Sequence, residues 1–325
     1  MINKTIADRN LALETVRLTE IAAMAASQFM GAGDEKAADQ AAVEAMHNAL
    51  NGLAFDGTIR IGEGSSEEAD KLFVGEKVGA GEGPKMDVAV VALEGKSIVA
   101  RGGLNAITVI AMAEDGGFLV VPNIYMDKIA VGPGLPDGIV DLDREPGENI
   151  KALADAKGVA VEDIVVCMLD RPRHGQLIAK IRETGARIRL ILDGDVIGVI
   201  AASQVEAGVD MYLGIGAAPQ GVLAAAALRG VNGQMQGRLV IRNGDDRAAA
   251  MAVGIEDLER KYSAEDMAAG NVTFAATGVT HSAMLEGVRH IPGGATTTHS
   301  MVWRSMTGTL RYVQGHHTFK FLENS

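Results

Sequence analysis

Apolar residues recur at helical spacing through the first fifty positions. Leu11, Leu13, Val16, Leu18, Ile21, Met24 and Ala25 predict a helix over 8–30, with Asp8 placed to cap its start. Gly31 and Gly33 end it, and Ala42, Val43, Ala45, Met46 and Leu50 predict a second helix from Ala37 to about Leu50. Thr58–Ile61 alternates as a strand, Phe73–Val78 reads as another, and the β-branched run Val88–Val91 reads as a buried one. Residues 104–113 are a long apolar segment, closed by the turn Glu114–Gly117 and followed by a predicted strand Phe118–Val121. Tyr125 then falls between a strand and a Gly/Pro turn.

The proline-bearing stretch 132–148 marks a candidate boundary, dividing the chain into domains 1–145 and 146–325. Beyond it helices and strands alternate. Helices are predicted at Asn149–Lys157, Gly175–Thr184, Val196–Gln204 and about Val222–Leu228, and strands at Ile164–Leu169, Ile188–Leu192 and Met211–Leu213. That rhythm predicts a mainly parallel α/β sheet. A charged helical region is expected over about Asp245–Ala269, then a strand Val272–Thr277. Residues 293–303 and 308–319 form a predicted hairpin that closes a sheet and is expected to rejoin the first one.

Ligands collect at the carboxyl ends of strands in α/β proteins. The run Asp87–Lys96 leaves its strand through Leu93-Glu94-Gly95-Lys96, an acid, a glycine and a base in a row. The turns Asp170–His174, Asp193–Asp195 and Gly214–Gln220 are expected on the same kind of edge. Arg171 and Arg173 suit a phosphate clamp, because guanidinium forks match phosphate oxygens, or else a surface ion pair with Asp170 or a neighbouring acid. Glu63 sits between Gly62 and Gly64, as a ligand-facing carboxylate or an ordinary polar turn. Asp39, in the first turn of its helix, is either a partner of the helix dipole or a ligand. His299, His316 and His317 are either metal ligands or inert surface residues. The run from Gly214 lacks the glycine spacing and the acid of a Rossmann dinucleotide loop, so that reading is rejected.

Composition narrows the classes. The net charge of −12 argues against a nucleic-acid partner, since phosphate backbones demand clustered Lys and Arg. One cysteine, Cys167, excludes an intramolecular disulfide framework and fits a reducing compartment. With no signal peptide and no apolar run of spanning length, a soluble cytoplasmic protein with no membrane partner is expected.

The assembled motifs resemble class II fructose-1,6-bisphosphatases. They include Asp56-Gly57-Thr58, Ile61-Gly62-Glu63-Gly64, Leu93-Glu94-Gly95, Tyr125-Met126-Asp127-Lys128, Arg171-Pro172-Arg173-His174, Asp193-Gly194-Asp195-Val196 and Gly214-Ile215-Gly216-Ala217-Ala218-Pro219, collinear from about residue 8 to residue 313. The resemblance implies the layered αβαβα sandwich of the sugar-phosphatase superfamily. It implies an N-terminal domain bearing the metal and phosphate loop, and a C-terminal sugar-phosphate domain. It also implies a sugar-bisphosphate substrate, fructose 1,6-bisphosphate or sedoheptulose 1,7-bisphosphate, hydrolysed with Mg²⁺ or Mn²⁺, and assembly as homodimers or homotetramers. Carried over by position, Asp39, Glu63 and Glu94 fall on metal ligands. Glu94, Gly95, Lys96, Tyr125, Arg171, Pro172, Arg173, Asp193, Gly194, Asp195 and Ala217 fall on substrate positions, and Lys96, Glu94 and Glu63 are the catalytic candidates.

The chain also departs from the pattern. Val91 stands where the family has a metal-binding Asp, Lys96 where it has the catalytic Thr, and Gln220 where it has a metal-binding Glu. Each change makes the same patch more positive. The expectation is a sugar-bisphosphate site with one ion or none and with metal-assisted hydrolysis weakened or lost. The alternatives are a working one-metal enzyme with Lys96 as a fixed cation, new chemistry at Lys96 such as a Schiff base with a ketose, and a non-catalytic regulatory paralogue.

Overall fold

The computed structural model describes residues 2–292 and 294–318, the side chains of residues 2–10 excepted. Two helices open the chain, α1 (Ile2–Ser27) and α2 (Glu35–Asn51). Helix α1 begins ahead of Asp8, so Asp8 is not its cap. Asp34 caps α2, its carboxylate accepting from the Ala37 N–H at 2.9 Å. Strands β1 (Asp56–Ile61), β2 (Lys77–Val78) and β3 (Lys85–Glu94) follow, then the short helix α3 (Lys96–Arg101) and β4 (Ile107–Glu114).

The chain then changes sheet. Strand β5 (Tyr125–Val131) precedes α4 (Pro146–Lys157), β6 (Val165–Leu169), α5 (Gly175–Glu183), β7 (Arg187–Ile191), α6 (Asp195–Ala201), β8 (Met211–Ala217), α7 (Ala218–Arg229) and β9 (Gln234–Val240). After α8 (Gly244–Ala252), β10 (Tyr262–Ser263) and α9 (Ala264–Met267), the chain returns through β11 (Val272–Gly278), β12 (Arg289–Ile291), β13 (Ala295–Arg304) and β14 (Thr309–Thr318).

The first sheet runs β12-β13-β11-β4-β3-β1-β2, with β14 paired to β13; the second runs β10-β9-β5-β8-β6-β7. Three apolar clusters hold five structural layers together. Helices α1 and α2 pack on one face of the first sheet through Val16, Met46 and Leu50 against Val88, Val90 and Ala92. Helices α6 and α7 fill the space between the sheets, against Val91, Val109 and Ala111 on one side and Met126 and Tyr212 on the other. Helices α4 and α5 cover the outer face of the second sheet through Ile150, Leu153 and Ile181. Helix–sheet–helix–sheet–helix is the αβαβα sandwich. Strand β3 is buried on both faces, which explains its continuous apolar run.

Several expectations are corrected. The change of sheet falls between β4 and β5, while β11–β14 belong to the first sheet. The second sheet is mixed: β7, β6 and β8 are parallel, but β5 runs antiparallel to both β8 and β9. Residues 118–121 form only an isolated bridge from Phe118 to Ala268. Of Phe73–Val78 only Lys77 and Val78 are strand. The helical region expected over 245–269 breaks into α8, β10 and α9. Residues 293 and 319, at the limits of the predicted hairpin, lie outside the described residues.

Met46 is fully buried between α2 and the first sheet. Met46→Ala is expected to lower unfolding free energy by about 2–5 kcal/mol, read from urea unfolding, and to loosen the helix that bears Asp39.

Candidate active site

A β-bulge fixes the site. Strand β3 pairs Val91 with Val109 and then Glu94 with Ile107, so three steps on β3 match two on β4. In regular pairing, residues three apart face opposite sides, and Glu94 would point away from the face occupied by Val91. With the bulge, both face the layer between the sheets, where Glu94 reaches the N-terminus of α6. Its two carboxylate oxygens accept from the backbone N–H groups of Val196 at 2.9 Å and Ile197 at 3.2 Å. Gly95 and Gly194, at φ 89° and 95°, make the left-handed turns that start α3 and α6. A side chain on Gly194 would bring a Cβ to 2.7 Å from Ile197 and 3.7 Å from Glu94 Oε2.

Every expected site residue except Pro172 and Gly194 lines one cavity of about 330 Å³, with Val91 and Gln220 in the same wall. Pro172 and Gly194 lie in the loops that carry their lining neighbours. Asp39 comes from α2, Glu63 from the turn after β1, and Glu94, Gly95 and Lys96 from the end of β3. The second sheet supplies Tyr125, Arg171, Arg173, Asp193, Asp195 and Ala217.

Lys96 faces into the site rather than away from it. Its Nζ lies 3.2 Å from Asp39 Oδ2 and forms no ion pair with Glu63 or Glu94. Burial works to lower the Lys96 pKa, but Asp39, Glu63 and Glu35 outweigh it and the value is raised. Lys96 therefore stays charged. Glu63 is held by the Ala92 N–H at 2.9 Å. Its pKa is pushed up to about 7, first by burial and then by Asp39, against the lowering effects of that hydrogen bond and Lys96. Burial pushes Glu94 to about 8 despite its two N–H donors, with Asp195 and Asp193 adding to the rise.

Asp195 is occupied by the protein itself. Lys128, fully buried, donates to Asp195 Oδ2 at 2.6 Å and to the Ala217 carbonyl at 2.9 Å, and the Tyr212 hydroxyl donates to Asp195 Oδ1. A Cβ on Gly216 would overlap the Asp195 carboxylate. Sequence reasoning missed Lys128 and Tyr212; a lone lysine between Met126 and Ile129 was the available signal. The other acid that the second sheet supplies, Asp193, accepts from Ser97 Oγ at 3.4 Å, a second link between the sheets.

The opposite end of the cavity is cationic. Arg171 Nη1 donates to the Asp170 carbonyl, and Arg173 donates through Nε and Nη2 to the Ile215 carbonyl at 2.9 and 2.7 Å. Neither guanidinium meets a carboxylate among the described residues, so the surface ion-pair alternative is not what forms. The loop is pinned by buried His174, whose Nδ1–H donates to the Leu169 carbonyl at 2.7 Å while Nε2 accepts from the Ile215 N–H at 2.8 Å.

Residues 9–317 match the family model described as bacterial fructose-1,6-bisphosphatase, glpX-encoded. The chain belongs to the class II fructose-1,6-bisphosphatase family. It is 39% identical to the D-fructose 1,6-bisphosphatase class 2/sedoheptulose 1,7-bisphosphatase of Trichodesmium erythraeum (strain IMS101), over 96% of this chain and 97% of that protein. It is 40% identical to the protein of the same description from Synechococcus sp. (strain JA-2-3B'a(2-13)), over 95% of this chain and 96% of that one.

Divalent-metal dependence is general in this bisphosphatase family. The donors present here do not fit such an ion. Among the described residues, no three His, Cys, Asp or Glu side chains converge to hold one. Of the expected ligand set Asp39, Glu63 and Glu94, Asp39 is engaged by Lys96, and each oxygen of Glu94 accepts from one N–H at the α6 N-terminus. Val91 offers no donor atom. Gln220 Oε1 is buried and meets no hydrogen-bond donor. The histidines do not supply a site either: His299 Nδ1 accepts from the Glu286 N–H, and His317 Nε2 lies 2.9 Å from Thr298 Oγ1. No helix among the described residues is long and apolar enough to cross a membrane.

Two outcomes follow from this chemistry. A carboxyl whose pKa is raised on folding binds more protons folded than unfolded, so its contribution to stability falls as pH rises from its unfolded value. For Glu63 that window runs from the ordinary 4.5 to about 7. Urea unfolding from pH 5 to pH 8 should show Glu63→Gln gaining stability relative to wild type as pH rises. Lys128→Met leaves Asp195 buried without its cation and should cost about 3–5 kcal/mol of unfolding free energy in the same assay.

Proposed function

We propose that the cavity binds a ketose bisphosphate, fructose 1,6-bisphosphate or sedoheptulose 1,7-bisphosphate, and that metal-assisted hydrolysis of the ester is weak or lost. The observation that carries this reading is the Lys96–Asp39 ion pair, which puts a tethered ammonium beside the carboxylates where this family would hold a divalent ion. A bisphosphate has an anion at each end. Lys96 and the Gly95 turn receive one phosphate, and Arg171 and Arg173, with Tyr125, receive the other. Asp193, in the same lining, is an acceptor for sugar hydroxyls, while Asp195 is held by Lys128.

Hydrolysis needs a group that activates water and neutralises the phosphate as charge develops. Lys96 supplies charge but, held protonated by Asp39, does not accept a proton. The same protonation disfavours a Schiff base at Lys96, because that step needs a neutral amine. Val91 and Gln220 remove two anions that would otherwise repel substrate phosphate unless an ion screened them. Binding is therefore independent of divalent metal.

Calorimetric titration of fructose 1,6-bisphosphate is expected to give the same affinity with EDTA as with Mn²⁺, and Lys96→Ala should weaken it about tenfold or more. Phosphate release should stay below the ordinary enzyme range of ~1–10³ per second. Turnover within that range that appears only with added Mn²⁺ or Mg²⁺ would refute the reading.

A further inference from the structure

Tyr125 has a neighbour on each side in the second sheet. It pairs with Ala217 of β8 and with Val240 of β9. Beyond Val240 the chain turns back, and the guanidinium carbon of Arg242 lies 4.7 Å from the centre of the Tyr125 ring. Arg173 arrives from the loop after β6, with its guanidinium carbon 4.8 Å from the same centre. Two cations are thus held against one ring of the cavity lining, which also includes Arg171.

Arg242 is aimed rather than loose. Asp246 accepts from its Nε at 2.8 Å, from its Nη2 at 3.0 Å and from its backbone N–H at 3.0 Å. The Asp246 carboxylate is buried while the Arg242 side chain is half exposed. No acceptor among the described residues engages Nη1, so its two N–H donors remain for another group. Of Arg171, Arg173 and Arg242, only Arg242 has a carboxylate partner among the described residues. Arg171 and Arg173, without carboxylate partners, carry positive charge that an external anion would balance.

We infer that Arg242 is a third guanidinium of the anion-receiving end and binds the ligand phosphate remote from Lys96. This rests on the ketose-bisphosphate reading and extends it to a residue outside the cavity lining. Planar N–H donors from Arg171, Arg173 and Arg242 would cover several oxygens of one phosphate, and Tyr125 sets the spacing between two of them.

The test is calorimetric titration of fructose 1,6-bisphosphate, fructose 6-phosphate, fructose 1-phosphate and inorganic phosphate into wild type, Arg242→Gln and the double variant R242Q/D246N. The double variant removes the buried carboxylate that Arg242→Gln would leave unpaired, and thermal unfolding checks that each is folded. Both variants should bind the bisphosphate about 10- to 100-fold more weakly and lose affinity for one of the two monophosphates while keeping the other. Unchanged binding in the folded double variant, or equal loss for both monophosphates, overturns the assignment. If wild type ignores the sugars but binds inorganic phosphate, and the variants lose that binding, Arg242 stands and the ketose reading falls. Wild type that binds none of the four overturns both.

Discussion

The site depends on one buried acid meeting one helix end. Glu94, at the end of the first sheet, closes onto the backbone N–H groups of Val196 and Ile197, which belong to the helix entering the second sheet. A carboxylate at a helix N-terminus satisfies donors that have no partner within the helix. Here the contact also fixes how the loop of Asp193–Asp195 stands relative to Gly95 and Lys96. The Ser97–Asp193 hydrogen bond reinforces the same junction. Because the cavity is shared between sheets, its shape rests on this junction more than on either sheet alone.

The cavity is electrically divided. One end gathers Asp39, Glu63 and Glu94 around Lys96, and the other carries Arg171 and Arg173 without carboxylate partners. In the acidic end burial acts against charge, so Glu63 and Glu94 hold their protons to higher pH than free carboxyls do. Proton retention and a tethered ammonium lower the negative potential of that end without an ion. Lys128 does the same for Asp195, whose buried carboxylate is neutralised where it meets the cavity.

Much of this was legible in the sequence, for identifiable reasons. The run from Val88 to Val91 announced a strand buried on both faces, and the glycines around Glu63, Glu94 and Asp193 announced tight turns at strand ends. Those turns do converge. Strand β5 was hidden because Asp127 and Lys128 interrupt its apolar pattern; Lys128 is tolerated there only because Asp195, far along the chain, neutralises it. Strand β9 was passed over because its alternation is carried by Gln and Gly as much as by apolar residues. The charged tract after residue 245 resembled one helix until Gly254 and the irregular stretch after it were seen to break it. The ligand role of Glu94 could not be judged from its identity. It turned on a bulge that no local pattern reveals.

That bulge makes chain length here a counted quantity. The residues between Val91 and Glu94 act like teeth on a ratchet: pairing every one of them regularly would set Val91 and the acid three steps apart on opposite faces and swing the acid into the aliphatic layer beneath α1 and α2. Side chains along the strand can differ from the family pattern, as Val91 and Lys96 do, while the bulge still sets the face on which the acid stands.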